Sequence, residues 1–321
     1  MYNGEMSDAL ELVEVEEIAW GGWERNLRLS GGGVELVISL DVGPRVLSFK
    51  RQEGVEFFKS YGEQLGGSGE AEWKIRGGHR LWVSPEVREV TYDPDNAPVE
   101  WTRSGGGIEL VQESKKTGLR KRLWVELRGN GQVIVDHAVR NEWDAPRKIA
   151  AWGLSVMAAG GNLVVPQRPP GVSTEGLLPD RRLIVWPYTS LGDTRYQWGE
   201  RFWQLQQRPG CKATKFGAEF RYGWAGYFLE GEIFVKHVEY RKGEEYPDFG
   251  SNFEAYTNEE MLEIESLSGL KNLQKGETVG HREQWWILPR LHPEKELSED
   301  VLEEEFAYIR SNCVSEAGVF E

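Results

Sequence analysis

Three glutamates near the carboxyl end carry the spacing most able to do chemistry. In residues 261–266 the side chains alternate, so Leu262 and Ile264 point to one side of a strand and Glu263 and Glu265 to the other. Residues 252–257 alternate too, with Glu254 and Tyr256 on one side. A two-residue turn at Asn258-Glu259 would set Glu254 opposite Glu263 and Asn252 opposite Glu265. Like charges opposed across a strand pair are unfavourable. The pattern therefore calls for a bound cation, a basic neighbour or a carboxyl group with a raised pKa. Asp248, in the rigid turn Tyr246-Pro247-Asp248-Phe249-Gly250, leads into this hairpin.

A second cluster lies at WKIRGGHRLWVSPE, residues 73–86. Gly77-Gly78 permits a tight turn or close approach to a ligand, and delivers His79, Arg80 and Trp82 together. An imidazole, a fixed cation and an aromatic plate suit a polyhydroxylated or anionic ligand. The competing reading is an Arg-carboxylate bridge with a core Trp beside a buried His. Lys236 sits near Phe234 and His237 in an apolar strand-like run, either snorkelling to solvent or serving a site. Arg195 follows Asp193 in a loop after Trp186-Pro187-Tyr188. If Arg80, Arg195 and Lys236 converge, they suit an acidic or phosphorylated sugar. Glu254, Glu263, Glu265 and His281 offer carboxylates and one imidazole to calcium, manganese or zinc, but HxH and HExxH spacings are missing. The expectation is therefore no metal and no cofactor.

The elements that must position these groups are strands. Residues 26–29 and 34–40 form a hairpin across Gly31-Gly32-Gly33, and 46–51 follows Gly43-Pro44. No helical pattern follows Gly31-Gly32-Gly33, which argues against a phosphate loop. Residues 10–18 read as a first strand after a loose tail. Turns at residues 104–107, 116–118 and 129–131 divide 99–138 into an antiparallel meander, and 133–141 and 148–158 are further strands. Residues 165–180, with several prolines and glycines, should be an irregular loop. Strands are expected again at 182–187, 202–207, 216–221, 223–229 and 232–240. Only 299–311 reads as a helix, with Ser298 as N-cap and Val301, Leu302, Phe306 and Ile309 on one stripe. We expect an all-β single domain, residues 1–321, with a sandwich core over about 9–290 and the helix within 296–312 packed outside it.

Net charge is −14, from 38 Lys and Arg against 52 Asp and Glu, which argues against nucleic acid as a partner. No apolar run is long enough to span a bilayer and no signal-peptide pattern opens the chain, so no membrane partner and a cytoplasmic location are expected. Cys211 and Cys313, far apart in sequence, read as free thiols in a reducing compartment. The 14 tryptophans supply flat apolar surface that suits a β-sandwich core or the face of a sugar ring. Oligomeric state is left open.

The run GGHRLWVSPE, AAWGLSVMAAGG, WPY with LGDTRYQWG, GWAGYF, IFVKHVEY, YPDFGSNFEAYTN and MLEIESLSGL with KGETVGHREQWWIL resembles the uncharacterised bacterial DUF4380 proteins. These are similar in turn to the galactose mutarotase-like, or aldose 1-epimerase, superfamily. The resemblance spans about residues 22–288. It implies a β-supersandwich with a sugar-binding cleft on one sheet and a small-molecule carbohydrate as partner. In the mutarotases a glutamate takes the proton from the anomeric hydroxyl and a histidine donates to the ring oxygen. Glu263 aligns with that glutamate, Glu265 replaces a glutamine, and His79 is the candidate histidine, in GGHR rather than Leu-His-Gly-Gly. Near Asn141 there is no match to the second mutarotase histidine motif. The resemblance thus implies general acid-base catalysis on a free sugar or sugar derivative, with Arg80, Trp82, Arg195, Lys236, Asp248, Glu254, Tyr256 and Glu265 as substrate-binding residues. The alternative is a non-catalytic sugar-binding protein with the same cleft.

Overall fold

Alternating apolar residues give this chain strands with one face to bury, and two large sheets do so against each other. A computed structural model describes residues 13–167 and 178–313. The first antiparallel sheet runs, edge to edge, Glu14–Trp20, Trp23–Gly31, Val34–Ser39, Arg45–Arg51, Gly78–Ser84, Arg147–Met157, Leu262–Leu267, Phe253–Thr257, Thr214–Ala218 and Leu183–Val185, with Lys271–Leu273 also paired to Arg147–Met157. The second runs Tyr196–Trp198, Phe202–Gln206, Asn162–Pro166, Trp224–Leu229, Glu232–Val238, Thr278–Pro289, Val133–Asn141, Leu119–Leu127, Gly107–Ser114 and Glu100–Ser104. Phe49, Phe58, Phe234 and Trp285 meet between the sheets in tilted and edge-on contacts at centroid distances of 5.6–6.2 Å. That aromatic contact anchors a core shared by Leu36, Val135, Leu205 and Ile264.

The outer faces differ. On the second sheet Val235, Trp224, Phe228 and Trp286 are covered by Leu302, Phe306 and Ile309 of the helix Glu299–Asn312. Ser298 caps that helix, its hydroxyl accepting from the Val301 amide at 3.4 Å. The outer face of the first sheet carries charged and aromatic side chains instead.

Each expected strand overlaps an observed one, and 133–141 is reproduced end to end, but Gly78–Ser84, Asn162–Pro166, Tyr196–Trp198 and Lys271–Leu273 are strands that were not expected, the third lying where a loop was. The hairpin register differs. Thr257 pairs with Leu262, so Tyr256 opposes Glu263 and Glu254 opposes Glu265. The cause is the turn: Asn258 Oδ1 accepts from the Glu260 and Met261 amides, at 2.8 and 3.1 Å, and builds four residues into the connection rather than two. A slip of two residues keeps every side chain on its face. The start of the expected 10–18 strand and positions 168–177 of the expected loop lie outside the described residues. No helix among the described residues is long and apolar enough to cross a membrane.

Candidate functional site

Strand Gly78–Ser84 decides which side chains share a site. Leu81 and Val83 join Val139 of the second sheet in a cluster between the sheets, so His79 faces inward with them. Arg80 and Trp82 face outward. The outward side chains of the neighbouring strands complete one surface: Trp152 from Arg147–Met157, Glu263 and Glu265 from Leu262–Leu267, Glu254 and Tyr256 from Phe253–Thr257, and Lys215 from Thr214–Ala218.

This surface has two halves. In one, Lys215 Nζ lies 2.6 Å from Glu254 Oε2 and 2.9 Å from Glu265 Oε2, with all three side chains buried. Trp152 Nε1 donates to the same Glu265 oxygen at 3.0 Å. The ammonium also stands over the Trp152 and Trp186 rings, at 4.9 and 4.7 Å. Burial pushes the Glu254 carboxyl well above the usual carboxylate range; Lys215 opposes this, while Glu265 and half-buried Asp248 add to it. Burial raises Glu265 as well, again against Lys215. Burial by itself would lower the Lys215 pKa, but the two acids outweigh it and hold the ammonium charged. One cation thus serves two buried carboxyls, both of which burial pushes above the usual carboxylate range.

In the other half, Arg80 Nη2 approaches Glu263 Oε1 at 2.8 Å. Its guanidinium lies 4.3 Å from the Trp82 ring centre and 5.2 Å from that of Trp73, and Tyr92 closes the group at 4.9 Å from Trp82. The Arg80-Glu263 pair is short but poorly aligned, so Glu263 Oε1 has no hydrogen-bond donor, and Trp73 Nε1 and Trp82 Nε1 have no acceptor. Buried polar atoms left this way call for a partner. Tyr256, across from Glu263, keeps its phenolic proton because burial, reinforced by Glu263, raises its pKa. Tyr188, 48% exposed, flanks Tyr256 at 6.5 Å.

The sequence-derived residues therefore divide. Arg80, Trp82, Glu254, Tyr256, Glu263 and Glu265 share the outer face, with Asp248 at its margin. His79 and Lys236 do not: both are fully buried between the sheets. The proposed Glu263-His79 pair does not form, because adjacent residues of a strand point to opposite faces and Arg80 takes the outer one. Arg195 is held in its own loop, paired to Asp193 at 2.8 Å and donating to the Lys212 carbonyl at 2.6 Å. The grouping of Glu254, Glu263 and Glu265 with His281 is also not assembled. Those acids face outward on the first sheet, and His281 faces Ser266 between the sheets. Lys215, Trp152, Trp73 and Tyr92 went unnoticed in the sequence.

Between the sheets His79 and Lys236 belong to a closed ring of hydrogen bonds. His137 Nδ1 faces the His281 carbonyl at 3.1 Å, so it carries the ring proton and leaves Nε2 bare. His79 Nε2, 2.7 Å away, must then donate to it. His79 Nδ1 accepts from Ser155 Oγ at 2.9 Å, and Ser155 accepts from Lys236 Nζ at 2.9 Å. Lys236 donates on to Glu283 at 3.0 Å, Ser266 donates to Glu283 at 2.5 Å, and His281 Nε2 donates back to Ser266 at 2.6 Å. Burial lowers the pKa of all three imidazoles, that of His281 to about 3, so they are neutral. Burial would raise Glu283, but the Lys236 ammonium prevails and holds it well below the usual range. Every member is satisfied, as a buried polar network requires.

No family model matches the sequence, and no curated protein matches it. Solved structures do. The Slr1438 protein from Synechocystis sp. PCC 6803 superimposes with a TM-score of 0.53 at 10% identity, over 90% of this chain and 100% of that one. A galactose mutarotase-like protein from Clostridium acetobutylicum gives 0.53 at 12% identity, over 86% and 99%. A galactose mutarotase-like protein from Lactobacillus casei ATCC 334 gives 0.50 at 9%, over 82% and 100%. The fold is the β-sandwich of galactose mutarotase-like proteins.

Proposed function

We propose that the outer face of the first sheet is a carbohydrate-binding site and that the chain is a DUF4380-type member of the mutarotase-like superfamily. The observation that carries this reading is the Arg80-Glu263 pair, where a buried carboxylate oxygen without a donor sits beside two indole N–H groups without acceptors. A sugar hydroxyl both donates and accepts, so it meets both needs at once. Trp73, Trp82 and Tyr256 around the pair, with Trp152 and Trp186 around neighbouring Lys215, supply flat apolar surface for the C–H face of a pyranose.

A second, enzymatic reading is favoured by the register of the hairpin. Glu263 stands across from Tyr256, so a carboxylate base faces a protonated phenol, and the pair takes the place of the glutamate and histidine of a mutarotase. Titration calorimetry against a panel of free aldoses and uronic acids, with polarimetry on the same samples, tests both readings. Binding that weakens in Glu263→Gln supports the site. Catalysed anomerisation abolished by Glu263→Gln and by Tyr256→Phe supports the enzyme. No binding across the panel, or binding unchanged in Glu263→Gln, overturns the carbohydrate reading.

A further inference from the structure

The polar ring between the sheets contains a second constellation that faces away from the sugar site. One ring nitrogen each of His79 and His137 and a Glu283 oxygen lie within 4.8 Å of one another, with the two Nε2 atoms 2.7 Å apart and His79 Nδ1 3.9 Å from Glu283 Oε2. Two imidazoles and a carboxylate form a donor set suited to zinc and its neighbours in the first transition row. Their outer partners are those of metal ligands: His137 gives its other ring proton to a backbone carbonyl, His79 has Ser155 on Nδ1, and Glu283 is oriented by Ser266 and by Trp285 Nε1 at 2.7 Å.

Gly153 provides an independent observation. It lies in the buried strand Arg147–Met157, has no positive φ, and so needs no glycine for its backbone. A Cβ there would stand 2.6 Å from Glu283 Oε1, 3.2 Å from His137 Nε2 and 3.3 Å from His79 Cε1. The missing side chain thus keeps space beside all three donor groups. His137 and His281 also line a cavity of about 1190 Å³ beside Ser268 and Gln284.

We propose that His79, His137 and Glu283 form a binding site for a divalent transition-metal ion of the zinc class, cradled against Gly153. The ion displaces the proton shared between the two Nε2 atoms, which lie 2.7 Å apart and move apart to make metal–nitrogen bonds of about 2.0–2.1 Å. To admit it, that proton moves to His79 Nδ1, which turns the neutral ring to its other tautomer and donates to Ser155. Lys236, 3.0 Å from Glu283, is the competitor. It neutralises the carboxylate in the metal-free protein and repels the incoming cation.

The site is tested on the full chain with zinc and with cobalt(II). In crystals loaded with zinc, anomalous scattering at the zinc edge is expected to peak between His79, His137 and Glu283. Cobalt(II) is expected to give visible absorption bands that zinc displaces and that Gly153→Ala and His137→Gln lose. Ser155→Ala should weaken binding by about 10–100-fold. Lys236→Met should lower Tm in chelator, because Glu283 is left unpaired, and added zinc should restore it. An anomalous peak elsewhere or none overturns the proposal without any variant. Bands that persist in Gly153→Ala, or a Lys236→Met protein insensitive to zinc, overturn it equally.

Discussion

Replacing Lys215 by Met tests the electrostatics of the outer face of the first sheet. Lys215 is 5% exposed, Glu254 0% and Glu265 1%, so the variant leaves two opposed, buried carboxyls without their cation. Removing one partner of a buried ion pair costs about 3–5 kcal/mol, a large share of a typical stability of about 5–15 kcal/mol. The sign of the pH dependence follows. Glu254 and Glu265 have folded pKa values above the ordinary 4.5. A carboxyl with a raised folded pKa keeps the native state most stable below its unfolded pKa and costs stability as pH rises through the folded value. Lys215 lowers both, so its loss raises both further. The penalty is therefore small near pH 4 and grows toward pH 8. Urea unfolding of wild type and Lys215→Met should show a loss at about pH 8 that exceeds the loss at about pH 4 by at least about 1.4 kcal/mol, the equivalent of one pKa unit. Equal losses at both pH values, or a loss under about 1 kcal/mol at pH 8, would refute the reasoning.

Other outcomes follow from the same geometry. Glu263→Gln should fold normally and weaken sugar binding by about 1.5–3 kcal/mol, the worth of a hydrogen bond to a charged group, read by calorimetry. Phe306→Ala empties the seam between the helix and the second sheet, where its ring lies 5.3 Å from Phe202, and should cost about 3–5 kcal/mol in urea unfolding. Ser298→Ala removes the N-cap and should cost about 1 kcal/mol, with a matching drop in Tm.

Much of the fold was legible because period-two alternation is a local property. Glu263 and Glu265 share a face as their spacing requires, but the opposed acids are Glu254 and Glu265 rather than the expected Glu254 and Glu263, and a basic neighbour meets them. That neighbour, Lys215, was missed by one position: the strand was expected to start at Phe216, whereas it spans Thr214–Ala218. The same alternation separates His79 from Arg80. Treating the two as one cluster because they are adjacent overlooked it. Lys236 escaped for a different reason. A lysine in an apolar strand is ordinarily drawn to solvent, and its burial here depends on Glu283 and Ser155, residues 47 and 81 positions away. Partners that distant leave no trace in local spacing. The ring uniting His79, His137, His281 and Glu283 is likewise a product of how the two sheets face each other.

The most direct test is diffraction from crystals soaked in a sugar that binds in the calorimetric panel. The account predicts a pyranose on the outer face of the first sheet, with a hydroxyl on Glu263 and its ring against the Trp82 or Tyr256 side. Density confined to the cavity beside His281, or to the helix-covered face of the second sheet, would contradict it.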